Sequence, residues 1–284
     1  MKITINVAGI RIHISSAASF KISRKLACFS SNESSQIDLN VSLINCLDIP
    51  VPDNTLLLDE KMQWGRNNSK AQEISIYVNE EEANKAVNQL KVNRSWNNAL
   101  ITYTENKEDI LLPFLGSLGE ILFRNCILFH QGIVIHAAAI EWQGKGIMFS
   151  APSETGKTTQ ANLWRKNKGA KIINADRPAV RVAGNHSYLY GTLWNGSSSK
   201  YRNRSVPLSA IILLEQAKEN KIRKLDNKEA AARLIPRCFL PYYQEDIMNL
   251  ALDNIEKIIA VTPVYILQCR PDKEAVELVY QCLK

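Results

Sequence analysis

Residues 150–159 of this 284-residue chain, SAPSETGKTT, have the composition and spacing of a phosphate-binding loop. An apolar run precedes them at 146–149 and an amphipathic run follows at 159–165, which predicts a strand, a tight loop and a helix. Such a loop aims backbone N–H groups at an anion, and the helix dipole also favours negative charge there. The residues predicted to bind a nucleotide are Pro152, Ser153, Glu154, Thr155, Gly156, Lys157, Thr158 and Thr159.

Two side chains of this loop have predicted roles. Lys157 would reach the terminal phosphates, and the Thr158 hydroxyl would bind Mg²⁺. Ala151 stands where such loops usually carry their first Gly, and an alanine fits that place only with a negative φ. Glu154 would lie near the phosphates, where a carboxylate is unfavourable unless it orients an acceptor or a cation. Its role is therefore left open.

The surrounding sequence predicts alternating strands and helices over residues 111–284, which is typical of an α/β nucleotide-binding domain. The predicted strands lie at 133–140, 146–149, 171–176, 208–214 and 264–267, with a hairpin near 184–185. The predicted helices after the loop helix lie at 227–235, 243–259 and 272–283. Residues 1–110 alternate apolar and polar residues at 2–14, 73–78 and 99–104, which predicts a smaller, mostly-β domain without a catalytic signature. A helix within 111–132 would join the two domains.

Phosphoryl transfer also needs a carboxylate for the metal or the acceptor, and Asp176 is the candidate. It ends an apolar strand, and in a parallel sheet that strand end lies beside the phosphate loop. The alternative is a surface aspartate that makes a turn with Pro178. Arg177 could bind an anionic substrate or the transferred phosphate, or merely neutralise Asp176. His136 lies in the strand before the loop strand, where a lone histidine is more often a packed residue than a functional one.

Lys200, Arg202 and Arg204 form a basic cluster in a loop rich in Gly and Ser. The cluster could clamp an anionic substrate or a transferred phosphate. A solvated loop with no binding role is an equally good interpretation of the same pattern.

Composition limits the remaining classes. The chain is 45% hydrophobic and 22% charged, as in ordinary globular proteins, and its net charge of +7 suggests an anionic ligand. No long Lys/Arg run with interleaved aromatics indicates nucleic acid. Six widely spaced cysteines without a Cys-x-x-Cys pair argue against a zinc site or disulfide scaffold and for a reducing compartment. With no signal sequence and no apolar run of about 18 residues, we expect a cytoplasmic protein without membrane association; an oligomer is compatible with the sequence.

The order of three stretches, His-Ala-Ala-Ala at 136–139, the loop at 150–159 and Ile-Asn-Ala-Asp at 173–176, resembles the HPr kinase/phosphorylase family. This P-loop group is related to phosphoenolpyruvate carboxykinases, and its small relatives include kinases of lasso-peptide clusters that phosphorylate serines. The resemblance covers about 115–270 and implies a domain of HPr kinase/PEP carboxykinase type. It implies that Lys157 and Thr158 bind ATP and Mg²⁺, that Asp176 is the metal-proximal acid or acceptor base, and that His136 approaches the reacting phosphate.

Two departures from that family are visible. HPr kinases carry two successive aspartates where this chain has Asp176 and Arg177, and the family's second signature after the hairpin is not found. The leading hypothesis is an ATP-dependent kinase that transfers the γ-phosphate to a hydroxyl of a peptide, protein or small molecule, with Arg202 or Arg204 holding the acceptor. The alternatives are a non-catalytic nucleotide-binding module and a carboxykinase-like enzyme acting on a small anionic metabolite.

Overall fold

A computed structural model describes residues 1–32, 36–53, 55–57, 61–65, 73–79, 86–104, 109–196 and 198–284. The chain forms two compact units, residues 1–126 and 127–284, and each unit has its own β-sheet. The protein is therefore a mixed α/β chain with two sheets. No helix in the described part of the chain is both long and apolar enough to cross a lipid bilayer.

In the first unit the described residues form a sheet in the order β1-β2-β3-β8-β7-β6-β5-β4, antiparallel except at β2/β3 and β3/β8. Its strands are β1 (Lys2–Val7), β2 (Ile10–Ser16), β3 (Leu39–Cys46), β4 (Thr55–Leu57), β5 (Met62–Gly65), β6 (Glu73–Asn79), β7 (Ala86–Asn93) and β8 (Asn98–Thr104). Its helices are α1 (Arg24–Ala27), α2 (Leu112–Leu115) and α3 (Ser117–Cys126). Strands predicted from the alternation at 2–14, 73–78 and 99–104 are present.

The second unit contains nine strands and four α-helices among its described residues. The strands are β9 (Gly132–Val134), β10 (Ala137–Trp142), β11 (Lys145–Ser150), β12 (Lys171–Asn174), β13 (Ala179–Ala183), β14 (His186–Tyr190), β15 (Ser205–Gln216), β16 (Lys221–Lys224) and β17 (Val264–Cys269). The helices are α4 (Lys157–Lys168), α5 (Asn227–Leu234), α6 (Glu245–Val261) and α7 (Lys273–Cys282), with 3-10 turns at Ile127–His130 and Ile235–Arg237.

The central strands of the second unit run in the order β12-β10-β11-β15-β17-β16. Strands β11, β15 and β17 are parallel, and β10 pairs antiparallel with both β11 and β12. As a result, the carboxyl ends of β11, β12, β15 and β17 and the start of β10 lie at one edge of the sheet. The start of β15 also pairs with β14, which continues the sheet through β13 to β9.

Helices α4 and α7 pack together, α4 against β10, β11 and β12 and α7 against β16 and β17. Four residues of α4 are buried at helical spacing, Lys157, Gln160, Ala161 and Trp164, and Gly169 ends the helix in the left-handed conformation. The Trp164 ring packs edge-on against Trp142 with centroids 5.7 Å apart. This apolar contact fixes the helix, and with it the loop that precedes it.

The strand predicted at 133–140 is wrong as one continuous element, because the structure divides it into β9 and β10. Strand β9 pairs with β13 while β10 pairs with β11 and β12, so the chain changes partners at Ile135 and His136. A buried apolar run carries no signal for such a change of partner. The break places His136 just before β10, at the sheet edge where β11 and β12 end.

Candidate functional site

The stretch from 151 to 156 forms the loop between β11 and α4. Ala151 is buried and its backbone lies outside the left-handed region, as its place in the loop requires. Two later residues have positive φ, Glu154 at 64° and Gly156 at 110°. Their left-handed backbone turns the chain sharply into the first turn of α4.

Most backbone amides of the loop donate to no backbone carbonyl among the described residues. From Ser153 to Thr159, only the amide of Thr155 donates to a backbone carbonyl among the described residues, that of Pro152 at 3.4 Å. The first turn of a helix has no intrahelical partners for its N–H groups. The entry to α4 therefore presents a set of donors suited to an anion.

Lys157 is 7% exposed, and its ammonium donates to the carbonyls of Ala151 at 3.1 Å and Pro152 at 2.9 Å. Burial lowers the pKa of this ammonium from its ordinary value, and the nearby Asp176 carboxylate acts in the opposite direction. The lysine thus lies inside the loop, where the charge of Asp176 acts on its ammonium.

Asp176 is the centre of a small ionic cluster after the end of β12. Its Oδ1 lies 3.2 Å from His136 Nε2 and its Oδ2 lies 3.2 Å from Arg177 Nε. The side chain is 24% exposed, so solvent and ligands can still reach it. The structure therefore brings together Asp176, His136, Arg177 and Lys157, which the sequence singled out separately.

Asn174 holds Asp176 in place. Its Oδ1 accepts the backbone N–H groups of Asp176 at 2.9 Å and Arg177 at 2.8 Å, and its Nδ2 lies 3.1 Å from the Thr192 hydroxyl and from the Trp194 carbonyl. Asn174 is fully buried. Its amide uses both ends to fix the turn that carries the carboxylate, a positioning role the sequence did not reveal.

Gly196 packs directly against Asp176. Its φ is 54°, and a Cβ built on it would clash with the Asp176 Oδ2. Only glycine fits both the backbone conformation and the close approach. Gly196 therefore covers one side of the Asp176 carboxylate.

His136 is held by its backbone as well as by its ring. Its N–H donates to the Arg237 carbonyl at 2.8 Å, and its carbonyl accepts the Ser150 hydroxyl at 2.8 Å. The neighbouring Ala137 N–H donates to the Asp176 carbonyl at 3.0 Å. These bonds join three segments of the sheet edge and fix the imidazole beside the carboxylate.

Arg237 is a second residue that the sequence did not single out. It ends the 3-10 turn Ile235–Arg237 and lines a cavity of about 860 Å³, whose opposite wall is the phosphate loop. Burial is the main cause of the lowered Lys157 pKa, and the Arg237 charge adds to it, so the two cations lie near each other. Arg237 is far from the loop in sequence and belongs to no motif, so no sequence signal points to it.

Two residues of the predicted basic cluster, Arg204 and Lys200, have side-chain partners in the structure. Arg204 makes a bidentate ion pair with Glu141 at 2.7 and 3.1 Å. Glu141 lies on β10, away from the sheet edge that carries Asp176. Lys200 donates to Asn162 on α4 at 3.1 Å, one helical turn from the exposed Thr158. Arg202 is exposed, and Ser197 of the same loop lies outside the described residues. A substrate role for these three cations stays a prediction.

We expect Gly156→Ala to lower the free energy of unfolding by about 1–2 kcal/mol, because φ is 110° at this position. No neighbour crowds the added methyl group, so the backbone strain is the whole of the expected effect. The strained loop should also bind nucleotides more weakly, measured by calorimetry. Gly184→Ala is the matched control, since its φ is 58° in the β13–β14 turn with open space around it. That variant should lose stability without losing nucleotide affinity; equal affinity loss in both would contradict the role of the loop.

Comparison with known proteins places the chain in a family. The family model of SynChlorMet cassette protein ScmC matches residues 100–273. The chain belongs to this family. The matched range contains the loop at 150–159, His136, Asp176 and Arg237, so the whole candidate site lies within the ScmC family region. No curated protein matches the chain.

Among solved structures, the chain is similar to the Hpr(Ser) kinase/phosphatase from Coxiella burnetii. The identity is 10% and the TM-score is 0.32, over 52% of this chain and 94% of that one. Both values are low, and a similarity of this size assigns no function to the chain.

Proposed function

We propose that the protein is an ATP-dependent kinase that transfers the γ-phosphate to a hydroxyl, such as a serine of a peptide or protein. One observation carries the proposal. The entry to α4 carries donor amides and the buried Lys157, whose ammonium is influenced by the charge of Asp176. His136 and Arg177 contact the Asp176 carboxylate. This combination would supply a phosphate cradle and a base for the acceptor hydroxyl.

The loop between β11 and α4 would bind the phosphates. The amides of residues 153–159 and the dipole of α4 would bind the β- and γ-phosphates of ATP. Lys157 would exchange its bonds to the loop carbonyls for bonds to phosphate oxygens, and Arg237 would face them across the cavity. Both cations would stabilise the charge that spreads over the transferred phosphoryl oxygens.

The residues present fit a magnesium ion. The exposed Thr158 hydroxyl and the partly exposed Asp176 carboxylate are oxygen ligands, which Mg²⁺ prefers together with phosphate and water. When bound, the ion would neutralise phosphate charge. Asp176 would hold it from the end of β12, and Thr158 from the first turn of α4.

Transfer requires an acceptor hydroxyl close to Asp176. The hydroxyl oxygen would form a bond to the γ-phosphorus as the bond from that phosphorus to the β-phosphate oxygen breaks, releasing ADP. The hydroxyl proton would pass to the Asp176 carboxylate. His136 and Arg177 hold that carboxylate from its two sides and so orient it toward the acceptor.

The test is an acceptor screen with γ-labelled ATP and Mg²⁺. Pools of Ser-, Thr- and Tyr-containing peptides and of small alcohols should reveal a class that becomes labelled while ADP is released. Oxaloacetate and related acids in the same screen test the carboxykinase-like alternative. Labelling of no hydroxyl, with ATP bound and intact after long incubation, would count against the kinase.

A nucleotide-binding module without transfer is the second candidate. Both oxygens of Asp176 already have partners, and an arginine stands at the next position. An acceptor hydroxyl would therefore have to displace one of these two partners before it could bond to the carboxylate. Tight binding of ATP that stays unchanged would favour this function.

A further inference from the structure

We propose that a second cavity, of about 350 Å³ beside the start of α4, binds the base of the nucleotide and favours adenine, whose 6-amino group would donate to an acceptor in the lining. This inference rests on the proposed function, because it assigns the other end of the same ligand. The base cavity is lined by Gly156, Thr159, Gln160, Cys269, Arg270 and Pro271, among others.

The position of the base cavity fits a nucleotide that crosses the loop. It shares Glu154, Thr155 and Gly156 with the loop and extends to the carboxyl ends of β15 and β17. Strand β12, which leads to Asp176, lies on the opposite side of β11 from these strands. A nucleotide whose phosphates lie on the loop, with the terminal one toward Asp176, would extend its base into this cavity.

Gln160 gives the cavity its chemical preference. The side chain is 2% exposed, and its Nε2 lies 3.4 Å from the Cys269 sulfur. Its Oε1 is buried and has no hydrogen-bond partner among the described residues. A buried acceptor without a donor is costly, so a ligand that brings an N–H group is favoured here. Adenine offers its amino group where guanine offers a carbonyl oxygen.

Arg270 forms a wall suited to stacking. Its Nε lies 3.0 Å from Asp272 and its terminal nitrogen lies 3.0 Å from Glu274. These carboxylates hold the planar guanidinium and already partner its charge. Arginine planes stack on aromatic rings, so this wall suits the face of a base better than a phosphate.

The test compares binding of ATP, GTP and inorganic tripolyphosphate by the full chain. We expect the wild type to bind ATP at least about tenfold more tightly than GTP. Gln160→Leu should weaken ATP binding about tenfold and leave tripolyphosphate binding unchanged, because only the base contact is lost. Gln281→Leu, the same change at an exposed position of α7, should alter neither.

Several results would overturn the inference. They are equal affinity of the wild type for ATP and GTP, equal affinity for ATP and tripolyphosphate, or parallel loss of both ligands in Gln160→Leu. If the wild type binds neither ATP nor tripolyphosphate, the proposed function itself fails. Binding of tripolyphosphate without preference for ATP refutes only the base cavity.

A second test uses the wild-type protein, so its result does not depend on whether the Gln160→Leu variant folds. Cys269 lines the cavity, whereas Cys28 is an exposed cysteine of the first unit. ATP should slow alkylation of Cys269, read by mass spectrometry, while tripolyphosphate should not, and Cys28 should react equally in all samples. Burial raises the pKa of the Cys269 thiol, so mildly alkaline buffer speeds the reaction. Saturating ATP without protection of Cys269 would overturn the proposal.

Discussion

Replacing Lys157 with alanine is expected to abolish phosphate transfer, with kcat/KM falling about 10³-fold or more. The lysine is the buried cation of the loop, and its ammonium donates to the loop carbonyls of Ala151 and Pro152. Removing it deletes the charge that stabilises the transferred phosphoryl group and weakens ATP binding as well. Initial rates of ADP release and acceptor labelling, measured over a range of ATP concentrations, check both effects.

Lys166→Ala is the matched control, because Lys166 is an exposed residue of α4 with no part in the loop. It should retain full activity. Thermal unfolding of both variants shows whether the loss of the bonds to Ala151 and Pro152 disturbs the fold. A folded Lys157→Ala variant that still transfers phosphate at a wild-type rate would remove the basis of the kinase proposal.

The local features of this site were accessible from the sequence. A strand, a Gly-Lys-Thr turn and a helix follow one another within a few residues, and β11, Gly156 and α4 occur there. Asp176 follows a short apolar strand that is also local in sequence. Such elements form from nearby residues, so their periodicity and turn chemistry are sufficient to predict them.

The partners of these residues could not be predicted. Three features depend on contacts between distant segments: the change of strand partners at Ile135–His136, the support of Asp176 by Asn174, and the approach of Arg237 to the loop. In the sequence Gln160 is one more polar residue of a helix, and nothing there indicates that it is buried beside Cys269 at the end of β17. Tertiary contacts between segments far apart in sequence leave no pattern within a single segment.

The remaining large effect is expected from Asp176→Asn, which should lower kcat about 10²- to 10⁴-fold while ATP affinity stays close to that of the wild type. Asparagine keeps the shape but loses the charge and one acceptor oxygen, so it cannot take a proton from a hydroxyl. Its NH₂ group must also face either His136 or Arg177, and Arg177 has only donors. Steady-state kinetics and calorimetric ATP binding separate these effects.

Two further readouts distinguish the roles of the carboxylate. If Asp176 holds the metal, the Mg²⁺ concentration for half-maximal activity rises in the variant; if it orients the acceptor, the acceptor KM rises and the metal requirement does not. Asp253→Asn, at an exposed position of α6, should change neither. Unchanged kcat in Asp176→Asn would mean that the carboxylate serves only as an ionic partner of His136 and Arg177. Phosphate transfer would then need another base or metal ligand among the residues around the loop.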